Sequence, residues 1–259
     1  MSGYILCQIK RASFPYYIEN ISTNIYSIEE LCYYFHHNIY LLDETIINEQ
    51  LCDWLRDELD LQKLYRKLYK ILEEERGTGD FILAVFKEIN YLTHEEFKKV
   101  NEELVLLEKL LPAVRTKKKA DYLVGNGMYV NAIRIYENAL KGVGLDGLGS
   151  QYEGEIYHNM GCAYLHLFQM EEGEKCLKKA YEKLHTKYIL KHYLTSCRLH
   201  MSEQEWKAEC EKMNAEPDVC EEIRKETEME KQTVLQEKIK DTDELLERFT
   251  REYHRSTGF

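Results

Sequence analysis

The chain has 259 residues, of which 44% are hydrophobic and 31% charged, with three prolines and a net charge of −11. This hydrophobic content is sufficient for a buried core, and the scarcity of proline favours helices, so we expect an all-α fold. The negative charge argues against nucleic acid as a partner, because phosphate binding depends on clusters of Lys and Arg. Residues 1–60 contain only Lys10, Arg11 and Arg56 as basic groups, which also argues against a DNA-reading regulator.

Cysteine usage and hydropathy indicate the compartment. The eight cysteines form no Cys-x-x-Cys pair, and the first residues lack a basic region followed by an apolar run. This pattern is typical of proteins of the reducing cytosol. No stretch approaches the roughly 18 consecutive apolar residues of a membrane helix. We therefore expect a cytoplasmic protein without a membrane partner.

Residues 1–26 show no sustained helical period, and they are predicted to form an irregular segment, with one short strand as an option. Residues 27–112 follow as an N-terminal helical region. Ser27 and Thr93, each followed three residues later by glutamate, fit the capping box that starts a helix. Apolar spacing predicts further helices on both sides of Asp60, and the last helix of this region is predicted to end around Pro112.

Residues 113–186 contain two segments that pair small and aromatic residues at helical spacing. The first segment contains Ala120, Leu123, Gly127, Tyr129, Ala132, Tyr136, Ala139 and Leu140. The second contains Tyr157, Met160, Gly161, Tyr164, Met170, Gly173, Leu177, Ala180 and Tyr181. These residues resemble two tetratricopeptide (TPR) repeats, whose helical hairpins stack into a solenoid. The resemblance implies a helical-hairpin repeat region over 113–214, in which residues 187–214 form a third, degenerate hairpin.

The two segments depart from the family in their spacing, because a glycine-rich stretch enlarges the loop between them. Residues 142–147 spell G-x-G-x-x-G, the dinucleotide-binding pattern. That pattern binds pyrophosphate where a strand leads into a helix, whereas here it joins two helical segments. We expect a linker, and no cofactor.

Residues 215–259 are predicted to form a long charged helix, which begins at Pro217, and a tail. A short seam of heptad spacing runs along it, through Leu235, Ile239, Thr242, Leu246, Phe249 and Tyr253. The sequence leaves open whether this helix caps the solenoid, forms a homodimer through the seam, or is a flexible tail.

The TPR resemblance also implies which residues line the concave groove. These candidate partner-binding residues are Lys117, Lys118, Asp121, Glu155, His158, Asn159, Cys162 and His166. Asn159 offers amide donors and an acceptor to a peptide, and Lys117 offers a positive charge. This pair resembles part of the clamp by which some TPR domains bind a terminal carboxylate, although Asp121 would repel that group.

A metal site is the alternative use of this surface, because His158, Cys162 and His166 follow one another at four-residue steps. Eight residues of helix rise about 12 Å, whereas the ligands of one ion lie within about 4 Å of one another. All three therefore cannot bind one ion, and only a pair with a distant ligand remains possible. We expect no metal site and no catalytic residues.

The leading hypothesis is a non-catalytic adaptor that binds a peptide or protein segment in the concave groove. One alternative is an assembly subunit that oligomerises through its terminal helices. Another is a peptide-responsive regulator. The sequence does not identify the partner.

Overall fold

The computed structural model describes residues 10–141, 148–236 and 242–257. The glycine-rich pattern over 142–147 lies outside the described residues. The described chain is mostly helical, which confirms the all-α prediction. It divides into two compact units, Met1–Leu111 and Pro112–Phe259. None of its helices combines the length and the apolar character that crossing a membrane requires.

The first unit begins with an antiparallel hairpin of two strands, β1 (Tyr16–Ile18) and β2 (Thr23–Ile25). Tyr16 pairs with Ile25, and Ile18 with Thr23, around a turn in which Ser22 is left-handed. The segment predicted to be irregular, with one short strand as an option, thus contains two short strands. The hairpin forms because Ile18 and Ile25 are both buried against the rest of the unit.

The described part of the first unit also contains five α-helices: α1 (Ile28–His37), α2 (Glu49–Asp57), α3 (Gln62–Glu73), α4 (Thr78–Ile89) and α5 (His94–Glu108). Thr93 forms the predicted capping box with Glu96. Ser27 caps α1, but the carboxylate of Glu30 accepts from the backbone N–H of Tyr26 instead of completing the box. The helix predicted to end around Pro112 ends at Glu108, and Pro112 begins the next helix.

Three consecutive helical hairpins form the body of the second unit. They are α6 (Pro112–Gly125) with α7 (Tyr129–Lys141), α8 (Gly149–His166) with α9 (Met170–Leu184), and α10 (Lys187–His200) with α11 (Glu203–Lys212). The small residues Ala120, Ala132 and Ala180 are fully buried, as the repeat pattern predicts. Gly161 and Gly173 face each other across α8 and α9, so closely that a Cβ at Gly161 would lie 3.1 Å from the carbonyl oxygen of Gly173.

The third hairpin closes around Trp206, which is fully buried and donates from Nε1 to the carbonyl oxygen of Leu194 at 2.9 Å. Helix α12 (Pro217–Gln236) then packs against α10 and buries Val219 and Ile223 in the same cluster. The first turns of α12 therefore cover the end of the hairpin series, in agreement with the capping alternative.

The last helix, α13 (Thr242–Thr257), contacts α7, whereas α12 contacts α10. The structure thus describes two helices within 215–259, where the sequence predicts one long helix and a tail. Residues 237–241 between them lie outside the described part. Of the predicted heptad seam, Leu246, Phe249 and Tyr253 have described side chains, and all three are more than half exposed.

Candidate functional site

A cleft of about 680 Å³ lies along the first helices of the three hairpins, α6, α8 and α10. We call it the inner-helix cleft. Four of the eight predicted groove residues line it: Lys117, Glu155, His158 and Asn159. The rest of its lining is Ser150, Gln151, Lys183, Leu184, Thr186, Tyr188 and Ile189. Asp121 and Cys162 contact the lining residues directly, so six of the eight predicted residues belong to one site.

Asp121 is the hydrogen-bonding centre of this site. Its carboxylate accepts from Lys117 Nζ at 2.9 Å, from Tyr136 Oη at 2.5 Å and from Asn159 Nδ2 at 2.9 Å. Burial and the bond to this carboxylate both raise the pKa of Tyr136, which keeps its hydroxyl proton in place as a donor. The negative charge of Asp121 is therefore already compensated by groups of the same chain.

The contact with Asp121 fixes the orientation of the Asn159 side chain, and Asn159 in turn fixes the tautomer of His158. An ionised carboxylate only accepts hydrogen bonds, so the amide nitrogen of Asn159 must face Asp121. Its amide oxygen then faces Nδ1 of His158, at 3.1 Å. Because this oxygen only accepts, Nδ1 carries the proton, and the lone pair of His158 is on Nε2.

His192 on α10 lies next to the lone pair of His158. Its Nδ1 lies 2.7 Å from Nε2 of His158, and the two rings stack with their centroids 4.9 Å apart. Burial lowers the pKa of both histidines, and the proximity of His158 lowers the pKa of His192 further. Both rings are therefore neutral at pH 7.

Cys162 lies one helical turn after His158, and its sulfur is 3.8 Å from Nε2 of that residue. Burial raises the pKa of this thiol, so it is protonated at neutral pH when no other group stabilises the thiolate. His158, Cys162 and His192 together present three side-chain ligand atoms that all lie within 4.8 Å of one another.

The charges at the cleft are paired within the chain. Lys117 Nζ lies 3.4 Å from Glu155 in addition to its bond with Asp121, and its side chain is only 16% exposed. Lys183 pairs with Glu153. The carboxylate of Glu155 is the more exposed partner of Lys117, so the surface of the cleft is close to neutral with an acidic edge.

Lys118 and His166 do not join this site. Lys118 is exposed on α6 and does not line the cleft. His166 is exposed and stacks on Tyr129, with ring planes 2° apart and centroids 4.5 Å apart. It lines a second cleft with Tyr129, Phe168, Phe249 and Tyr253.

Tyr188 and His192 are the main site residues that the sequence analysis missed. Tyr188 is 62% exposed at the cleft, and its ring contacts both His158 and His192. His192 follows His158 by 34 residues, which is the TPR period, so it occupies the equivalent position of the next hairpin. Extending the repeat pattern by one period beyond the second hairpin is the signal that would have found it.

The chain matches no protein-family model, no curated protein and no solved structure.

Proposed function

We propose that this protein is a non-catalytic, TPR-like adaptor that binds a peptide or protein segment in the inner-helix cleft. The observation that supports the proposal best is the convergence of six predicted groove residues beside the exposed ring of Tyr188. An exposed aromatic side chain next to ordered polar groups is typical of surfaces that bind polypeptides, because it adds contact area at a small entropic cost.

The hydrogen-bonding pattern favours recognition over proton transfer. A general base needs a lone pair that reaches the substrate. The lone pair on Nε2 of His158 is occupied by the contact with Nδ1 of His192, and the carboxylate of Asp121 already accepts three hydrogen bonds. These contacts order the wall of the cleft before a partner arrives, which reduces the entropic cost of binding.

The same contacts indicate the chemistry of the partner. A terminal carboxylate is disfavoured because Lys117 is already compensated by Asp121 and Glu155, and the amide of Asn159 is bonded to Asp121. The exposed carboxylate of Glu155 and the net charge of −11 favour a basic group instead. We infer a segment that places an apolar side chain on Tyr188 beside a Lys or Arg that pairs with Glu155.

Replacing Tyr188 with alanine tests this assignment. We expect a loss of about 2 kcal/mol of binding free energy, or roughly 30-fold in Kd, as for other aromatic hot spots. The partner is identified by affinity capture from the native cell extract, and its affinity for the purified variants is measured by calorimetry. Phe168→Ala is the matched control, because Phe168 is an exposed aromatic residue that does not line this cleft. A partner that loses affinity with Phe168→Ala and keeps it with Tyr188→Ala contradicts the proposal.

A second candidate function is that of an assembly subunit that dimerises through α13. It is supported by Leu246, Phe249 and Tyr253, which leave an apolar row more than half exposed on this helix. In that case light scattering finds a dimer that becomes monomeric when Leu246 and Phe249 are changed to aspartate. Leu199→Asp, at an exposed leucine of α10, is the control that leaves the dimer intact. A monomer at every concentration eliminates this candidate.

A further inference from the structure

Three side chains from two neighbouring inner helices form a cluster that peptide binding does not require. His158 and Cys162 lie one turn apart on α8, and His192 reaches them from α10. Imidazole and thiolate are the ligands that Zn²⁺ prefers. His166, on the same helix as the pair, stacks on Tyr129 instead, and His192 is the distant ligand that the sequence left open for His158 and Cys162.

The distances within the cluster are close to those of a site for a single ion: the three ligand atoms all lie within 4.8 Å of one another, so they have to shift by up to about 1 Å to reach tetrahedral spacing. Ligands bound at 2.0–2.3 Å in a tetrahedral site lie about 3.3–3.8 Å from one another. Nε2 of His158 and the sulfur of Cys162 are 3.8 Å apart. Nε2 of His158 and Nδ1 of His192 are 2.7 Å apart, so these two rings would have to separate by about 0.6 Å to admit the ion.

The surroundings of His158 are those of a metal ligand. Metal-binding histidines donate their second ring N–H to an oxygen acceptor, which fixes the tautomer and points the lone pair at the ion. Nδ1 of His158 donates in this way to Asn159, and Asn159 is in turn held by Asp121. These hydrogen bonds orient His158 so that the lone pair of Nε2 points toward Cys162 and His192.

We propose that His158, Cys162 and His192 bind one Zn²⁺ ion, with Asn159 and Asp121 as positioning residues. The thiol of Cys162 releases its proton to solvent as the sulfur–zinc bond forms. His192 remains neutral: Nδ1 gives up its proton to bind the metal, while Nε2 takes one up from solvent. Three protein ligands leave the fourth tetrahedral position to water or to a donor from a partner. This site goes beyond the proposed function and does not depend on it.

Titration of the reduced, metal-free protein with Co²⁺ tests the site, because tetrahedral Co²⁺ absorbs visible light and a bound thiolate adds a near-ultraviolet charge-transfer band. We expect one equivalent of Co²⁺ to produce both features and Zn²⁺ to remove them. Cys162→Ser is expected to lose the charge-transfer band. His192→Gln is expected to lose more affinity than the roughly 10–100-fold typical of removing an outer partner.

His166→Gln is the matched control, since His166 is the second histidine of the same helix. It is expected to bind Co²⁺ like the unmodified protein. Asn159→Leu should weaken binding about 10–100-fold while both absorption features persist at saturation, which separates a positioning role from a ligand role. Far-UV circular dichroism checks that each variant is folded.

The proposal is overturned if the unmodified protein gives no charge-transfer band, a result that depends on no variant. It is also overturned if Cys162→Ser keeps the band, since the sulfur would then come from another cysteine. A folded His192→Gln variant that binds Co²⁺ with unchanged affinity also overturns the proposal.

Discussion

Replacing Trp206 with alanine is expected to lower the free energy of unfolding of the second unit by about 3–5 kcal/mol, the usual cost of removing a large buried aromatic residue. Trp206 has no exposed surface and donates a hydrogen bond to the carbonyl of Leu194. The guanidinium groups of Arg198 and Arg224 lie 5.1 and 5.6 Å from its ring centroid. The substitution therefore removes contacts between α10, α11 and α12 together.

Urea denaturation followed by far-UV circular dichroism measures this effect. Tryptophan fluorescence is unsuitable, because the substitution removes one of the two tryptophans of the chain. Trp206→Phe is the control that keeps a ring in the cluster, and it is expected to cost less than Trp206→Ala. A loss below about 1 kcal/mol for Trp206→Ala, the level of an average substitution, would show that this cluster does not hold the third hairpin.

Replacing Gly161 with valine is expected to cost about 3 kcal/mol or more, because α8 and α9 leave no room for a side chain there. A Cβ at this position would lie 2.8 Å from Cγ of Leu177 and 3.1 Å from the carbonyl oxygen of Gly173. Leu177 is fully buried, so neither neighbour moves aside cheaply. Gly161→Ala is expected to destabilise the protein less than Gly161→Val. Its overpacking cost of about 1–3 kcal/mol is partly offset by the higher helix propensity of alanine, which contributes about 0.5–1 kcal/mol.

Gly125→Ala is the matched control for the same denaturation experiment. Gly125 is also in a helix of this unit, but no heavy atom lies within 4 Å of the place of its Cβ. Alanine there is expected to leave stability unchanged or to raise it by about 0.5–1 kcal/mol. Equal effects at Gly125 and Gly161 would mean that the two helices do not approach each other closely.

Local signals predicted much of the helical framework. Thr93 with Glu96 forms both hydrogen bonds of the predicted capping box, whereas the predicted box at Ser27 forms only the bond from the serine side chain to the helix. Ala120, Ala132, Gly161, Gly173 and Ala180, which are small residues of the repeat pattern, are all buried. That the hairpins belong to the TPR family stays a prediction.

Contacts between residues that are far apart in the chain could not be predicted from the sequence. The β-hairpin depends on the burial of Ile18 and Ile25 by the rest of the unit, which residues 1–26 alone do not reveal. Asn159 was predicted to offer its amide to a peptide, yet it bonds Asp121, 38 residues away, and His158. The residue types on the inner helices were therefore predictable, whereas their pairing required the packing of neighbouring hairpins.

Site-specific photo-crosslinking in the native cell tests most directly whether the inner-helix cleft is the partner-binding surface. A photoreactive phenylalanine analogue is placed at Tyr188 in one variant and at Phe168 in another, which compares two exposed aromatic positions. We predict that position 188 crosslinks a discrete partner and that position 168 does not. A partner that crosslinks at position 168 and not at position 188 would contradict the assignment of the cleft.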